Sequence, residues 1–302
     1  MKITRETVLI IAAFFAIYVI WGSTYLLNKI AVTDISPLFL SSSRFVFSGL
    51  IIFSIAKLLK IPLAITKRQL LNNTLAGFLF LVYGNGVFVW ALQYVDTGFA
   101  ALEASSLPLV VLLLMRIVYK QKIQNMALFG VLLGIIGIYL LVSQQEITSG
   151  EHSLIGVLMI ATCIVSWASA SIFVSKADLH KSYFVNSGYQ MLLGGILLAF
   201  FSLLVGEEWT SPFVWKSSTV YAMILLIIFG SIIAFTAFNF LLKTVSPEKV
   251  ATSAYVNPLI ALILGWYVLG EQITLQSIIA AVILLLGVYF INVSKNKKIT
   301  NK

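Results

Sequence analysis

Long apolar stretches separated by short polar connections run from one end of this chain to the other. Windows long enough to cross about 30 Å of hydrocarbon fall at residues 8–31, 37–56, 70–94, 98–118 and 125–143, and again at 154–175, 184–205, 219–242, 249–269 and 273–293. The pattern predicts an all-α integral membrane protein of ten transmembrane helices. Several connections carry Pro, Gly or charge at the turn, as in Ser246-Pro247-Glu248. The first apolar run is too long for a signal-peptide core and reads as a retained helix.

The second set of windows repeats the first. With a shift of 150 residues, Ala104, Pro108, Leu109, Gly137 and Tyr139 fall on Ala254, Pro258, Leu259, Gly287 and Tyr289. Nearer the N-terminus a shift of 146 pairs Trp21 with Trp167, Ser23 with Ser169 and Gly49 with Gly195. The four-residue difference must be absorbed before the eighth helix, most simply between Glu207 and Lys216. This predicts two five-helix repeats, 1–146 and 147–302, the second ending in a basic tail. Five spans per half is odd, so the second half must enter the membrane the other way up. Inverted repeats of this kind build many secondary transporters, with solute held where the halves meet.

Charge supplies the orientation. Lys2, Arg5, Lys57, Lys60, Lys67, Arg68, Arg116, Lys120, Lys122, Lys176, Lys181, Lys243 and Lys249 share alternate connections with the tail lysines, whereas Lys216 and, if it snorkels to the surface, Lys29 lie on the other side beside Asp34, Asp96, Glu146, Glu151, Glu207, Glu208 and Glu271. By the positive-inside rule both termini are cytoplasmic, in a multi-pass protein of the plasma or inner membrane. The net charge of +9 is then a topology signal, and nucleic acid is not expected as a partner.

Composition narrows the function. The chain is 60% hydrophobic and 10% charged, with a mean hydropathy of +1.01, so no soluble catalytic domain can be hidden in it. The single cysteine, Cys163, excludes an intramolecular disulfide. Two loop histidines, His152 and His180, cannot form a clustered intramembrane metal site, and no Gly-x-x-x-x-Gly-Lys run is present to bind nucleotide. No enzyme and no cofactor are expected. A receptor or sensor is the alternative to a transporter, but it would ordinarily need a signalling domain or large cytoplasmic loops.

The chain resembles the drug/metabolite transporter superfamily, in its ten-helix EamA branch. The resemblance rests on Trp21-Gly22-Ser23, Arg44-Phe45, the paired segments Ala104-Ser105-Ser106-Leu107-Pro108-Leu109 and Ala254-Tyr255-Val256-Asn257-Pro258-Leu259, and Gly270-Glu271. It implies a cavity lined by the first to fourth and sixth to ninth helices, with the fifth and tenth peripheral. It also implies transport, often export, of small polar solutes such as amino acids, metabolites or toxic compounds.

Candidate site residues follow from polarity inside the windows. Arg44 lies about 10 Å into the second helix at 1.5 Å per residue, where a charge must face protein or water. It either attracts a substrate carboxylate with its planar fork, or it snorkels outward or holds two helices together. Glu103, at similar depth in the fourth helix, is its natural partner, with the neighbourhood of the two helices taken from the resemblance. A carboxylate there is also a candidate proton carrier for coupling. Trp21, Thr24, Tyr25 and Asn28 share one face of the first helix. Asn85, within Gly84-Asn85-Gly86, marks a bend or unwound turn in the third. Trp167 and Gln190 occupy the repeat positions of Trp21 and Arg44. Ser253 and Asn257 share a face of the ninth helix beside Pro258, which, like Pro108, is expected to kink its helix and free a carbonyl one turn earlier. Gly130, Gly134 and Gly137 form a close-packing stripe in the fifth. The expected partners are a small-molecule solute and the lipid bilayer; monomer and homodimer both stay open.

Overall fold

The structure, a computed structural model, describes residues 4–91, 94, 104–120, 122–143, 153–269 and 273–293, without the side chains of a few helical residues, Tyr25 and Lys29 among them. All regular structure among these residues is helical. Arg5–Phe15, a π-helical stretch Ala16–Ile20 and Trp21–Ala31 run on as one rod, α1. Next come α2 (Pro37–Leu58) and α3, built from Lys67–Gly77, a π stretch Phe78–Val87 and Phe88–Ala91. They are followed by α4 (Leu107–Tyr119), α5 (Asn125–Val142), α6 (Ser153–Lys176) and α7 (Tyr183–Leu204). α8 comprises Ser217–Leu225, a π stretch Leu226–Ile233 and Ala234–Thr244; α9 comprises Pro247–Ala251 and Ser253–Leu269; α10 is Leu275–Val293.

Seven of these rods are long and apolar enough to span a bilayer within the described residues: α1, α2, α3, α6, α7, α8 and α10. Helix also occupies the fourth, fifth and ninth windows, in shorter described stretches. Helix ends follow local chemistry. Thr66 and Gln69 close a reciprocal capping box at the start of α3, and the Ser182 hydroxyl accepts from the Val185 N–H at the start of α7.

Two seams show how the halves are related. A Cβ on Gly195 would lie 2.8 Å from the Val46 backbone N, and one on Gly49 would lie 2.9 Å from that of Leu192. Under the 146 shift these are one contact seen twice. Ser42 Oγ donates to Gly195 O at 3.0 Å, and the same residue pair recurs as Gly188 and Gly49, where a Cβ on Gly49 would lie 3.1 Å from Gly188 O. Between α5 and α10 the same holds under the 150 shift: a Cβ on Gly137 would lie 2.8 Å from Leu284 Cγ, and one on Gly287 would lie 3.1 Å from Gly134 N. Contacts that match themselves in this way mark a two-fold relation. Rising numbers on one helix meet falling numbers on the other, so both pairs are antiparallel and the axis crosses them, in the plane of the membrane. The repeat is inverted. The shift changes where the α7–α8 connection has twelve residues, 205–216, against eight, 59–66, between α2 and α3.

Candidate solute site

Arg44 sits in the second turn of α2 and is only 6% exposed. Its Nε donates to Ser231 Oγ at 2.7 Å, and its guanidinium rests against Gly230 in the π stretch of α8. A Cβ on Gly230 would lie 3.2 Å from Arg44 Nη2 and 2.9 Å from Thr24 Cγ2, so glycine is what lets both side chains close on the same spot. Trp21 Nε1 donates to Gly230 O at 3.1 Å. Widened π turns leave carbonyls without their usual partner and are frequent at functional sites; here a neighbouring indole takes one. Thr24 and Asn28 bond back into α1, to Trp21 O and Thr24 O, and stay half-buried along the same face. Ser41, one turn before Arg44, donates to Asn85 Oδ1 at 3.4 Å. Trp21, Thr24, Arg44 and Ser231 thus converge around Gly230, with Asn28 and Asn85 flanking.

Aromatic rings close the space next to this cluster. Trp21 meets Trp167 at 6.0 Å and Phe238 at 4.9 Å; Phe80 meets Trp167 at 5.0 Å and Phe238 at 5.4 Å. These rings come from α1, α3, α6 and α8, so they join both repeats. The arrangement brings together a guanidinium, hydroxyl and amide groups, and an aromatic wall.

The sequence pattern of the EamA-like transporter family matches residues 8–143 and again residues 154–293. This chain belongs to that family. It is similar to an uncharacterized inner membrane transporter, YedA, of Escherichia coli K12, at 32% identity over 96% of this chain and 93% of the relative. It is also similar to an uncharacterized transporter, YoaV, of Bacillus subtilis, at 23% identity over 91% of this chain and 93% of the relative. A S-adenosylmethionine/S-adenosylhomocysteine transporter of Chlamydia muridarum is 24% identical over 89% of this chain and 86% of the relative. A solved crystal structure covers 95% of this chain and 96% of its own length with a TM-score of 0.77 at 18% identity, a likeness of fold. The chain is therefore a multi-pass membrane protein of a transporter family.

In this EamA-like transporter the remaining predicted residues are placed differently from one another. Glu103 lies outside the described residues, as does the Tyr25 side chain. Among the described residues the ion pair present is Lys216–Asp34, and none places a carboxylate on Arg44. Gln190 is fully buried in a chain of amides. Asn239 Nδ2 donates to Gln190 Oε1 at 3.0 Å, Gln190 Nε2 to Asn73 Oδ1 at 3.0 Å, and Asn73 Nδ2 to Asn186 Oδ1 at 3.3 Å. This network ties α3, α7 and α8 together. Trp167 belongs to the aromatic wall.

Asn257 faces the π stretch of α1. With its amide turned to satisfy both ends, the nitrogen donates at 3.1 Å to each of Ile17 O, Tyr18 O and Ser253 O. Ser253 is buried one turn before it. Pro258 lies inside its helix, and the carbonyl it should free, Ala254 O, accepts from Ser105 Oγ at 3.0 Å. That carbonyl serves the neighbouring helix. Pro108, expected within a helix, stands in the first turn of α4 behind a turn at Ser105 and Ser106. Its missing N–H falls among groups that have no helical partner anyway.

Sequence reasoning missed Gly230-Ser231 and the Tyr18–Thr252 hydrogen bond, 2.7 Å between hydroxyls of α1 and α9. The signal for the first was a small polar pair inside the apolar run from Leu225 to Ile233. Nothing comparable marked the second.

Proposed function

We propose that this transporter carries a small polar solute with an anionic group, an amino acid or related metabolite or drug, and exports it by alternating access of its inverted halves. Arg44 would hold the anion, with Trp21, Thr24, Asn28, Asn85 and Ser231 around it. The observation that carries this reading is the buried Arg44 guanidinium, whose Nε is satisfied by a neutral hydroxyl at 2.7 Å while its fork lies against a glycine. A permanent cation in such a place calls for an anion. The named solutes of the Chlamydia relative both carry a carboxylate, which fits the same class. Glu103 is proposed as the second charge of the site and the carrier of a coupling proton. Both termini are proposed to face the cytoplasm, and the chain to have no enzymatic activity.

The test is a stabilisation screen of purified protein with amino acids, nucleosides, sugars and cationic drugs, each carboxylate paired with its amide, followed by flux in liposomes. Carboxylates should stabilise the protein and their amides should not; Arg44→Gln should abolish both the response and flux while the protein still folds. Equal stabilisation by acid and amide would sink the reading. In the Arg44→Gln, Glu103→Gln double variant, recovery of transport would make the two residues a structural pair.

A further inference from the structure

The connection between α7 and α8 is pinned at both ends and apolar at its tip. The Glu207 carboxylate accepts from the Leu38 and Phe39 N–H groups at 3.0 and 2.8 Å and from Ser202 Oγ at 2.7 Å, capping α2, which lacks a side-chain cap of its own. Trp209 stacks on Phe39 at 4.7 Å and donates to Ser202 Oγ at 3.0 Å. At the other end, Trp215 Nε1 donates to Thr210 Oγ1 at 2.8 Å, and Asp34 accepts from the Lys216 N–H at 3.1 Å and from Thr219 Oγ1 at 2.6 Å. Between these anchors a single tight turn, Pro212–Val214, projects outward. Phe213 is 99% exposed and Val214 73%.

An aromatic ring held wholly outside a rigid loop is unfavourable against water alone. The adjoining surface says what covers it. Phe200, Leu203 and Leu204 at the end of α7 and Tyr221 at the start of α8 are exposed apolar residues on spanning helices, and so face lipid. The tip lies in sequence between these two lipid-facing helix ends. Two of the nearby acids are engaged: Glu207 as a helix cap, Asp34 with Lys216 Nζ at 3.1 Å and the start of α8. Glu208, before the turn in sequence, is exposed.

We propose that Phe213 and Val214 insert into the interfacial layer of the bilayer, at the boundary of headgroups and acyl chains, and fix the depth at which α8 enters the membrane. Apolar side chains such as Phe gain by burial at the boundary of headgroups and acyl chains, as on the apolar face of an interfacial helix. This inference stands apart from the solute reading, since it needs no ligand in the Gly230 cluster.

The test uses the full chain in nanodiscs of phosphatidylcholine and phosphatidylglycerol, with a spin label on Phe213→Cys or, as an aqueous control, on Glu208→Cys, both with Cys163→Ser. At 213, collisions with oxygen should exceed those with a water-soluble nickel chelate; at 208 the order should be reversed. Nickel access at 213 equal to that at 208 overturns the proposal, as does spin–spin broadening that places two tips against each other. Should the Cys163 change harm folding, Phe213→Trp with Cys163 intact gives a second reading. The added emission should be quenched by lipids brominated high on the acyl chain, and its insensitivity to them would equally overturn the proposal.

Discussion

Trp21 and Trp167 occupy the same position in the two repeats, and they meet edge to face with ring centroids 6.0 Å apart. Residues related by a two-fold can touch only near its axis, so this pair, like the two glycine seams, lies close to it. The two rings are not equivalent, however. Trp21 also donates to Gly230 O in the widened stretch of α8, whereas Trp167 packs against Phe80 and Phe238.

That difference is measurable. Trp21→Phe keeps a ring but leaves a buried carbonyl without its donor, a loss of about 1–3 kcal/mol. Trp167→Phe removes packing only. Thermal unfolding in detergent should show the larger decrease for Trp21→Phe, and equal decreases would contradict the role given to its indole N–H.

The α2–α7 seam predicts a matched pair of defects. Gly49→Val and Gly195→Val each push a side chain into the facing backbone, at distances of 2.9 and 2.8 Å already for the first carbon. Overpacking of this kind costs about 1–3 kcal/mol or more, and the two variants should lose similar amounts. Gly206→Ala meets nothing within 4 Å and suffers only from its φ of +75°, about 1–2 kcal/mol. A large disparity between the first two would argue against a self-matched seam.

Ser105 and Pro258 should be coupled. Removing the hydroxyl with Ser105→Ala strands the carbonyl that the proline freed, while Pro258→Ala restores a backbone donor to it. In a double-mutant cycle the Ser105→Ala cost should shrink by about 1 kcal/mol when residue 258 is alanine. Additive losses would mean that the Ala254 carbonyl gains nothing from Ser105.

Asp34 gives a pH signature. Hydrogen bonds from Thr219 and the Lys216 backbone, then the Lys216 ammonium, hold its carboxyl below the usual aspartate range. A depressed folded pKa stabilises fully above the unfolded value and is lost as pH falls through the folded one. Asp34→Asn should therefore lower the melting temperature at pH 7, with the gap to the parent closing only below about pH 4. A gap that closes near neutrality would require a different titrating group.

Apolar length and loop charge were enough to read helix at every window, and the two shifts of the repeat reappear residue for residue at the glycine seams. Period carries that information because each helix buries a fixed face. The site was only partly legible. Arg44 and the α1 stripe stood out, since polarity inside hydrocarbon needs a reason, and the structure brings them together at Gly230. Gln190 carried the same signal, yet it is spent on Asn73 and Asn239. A single sequence shows that a polar group must be satisfied, and leaves unsaid whether by solute or by neighbour. The π stretches were hidden for a related reason: their carbonyls are met by side chains far away in sequence, such as Trp21 on Gly230 and Ser166 on Leu79.

The Tyr18–Thr252 hydrogen bond has no image in the other half. Its equivalent positions are Ile164 under the 146 shift and Leu102 under the 150 shift, neither of which carries a hydroxyl. Were the halves to exchange conformations, the opposite facing would lose this latch and gain only an apolar contact. A hydrogen bond worth about 1 kcal/mol tilts such an equilibrium about fivefold. The two ends of such a cycle would then differ in population even without solute, the arrangement that keeps the Tyr18–Thr252 bond being the more populated.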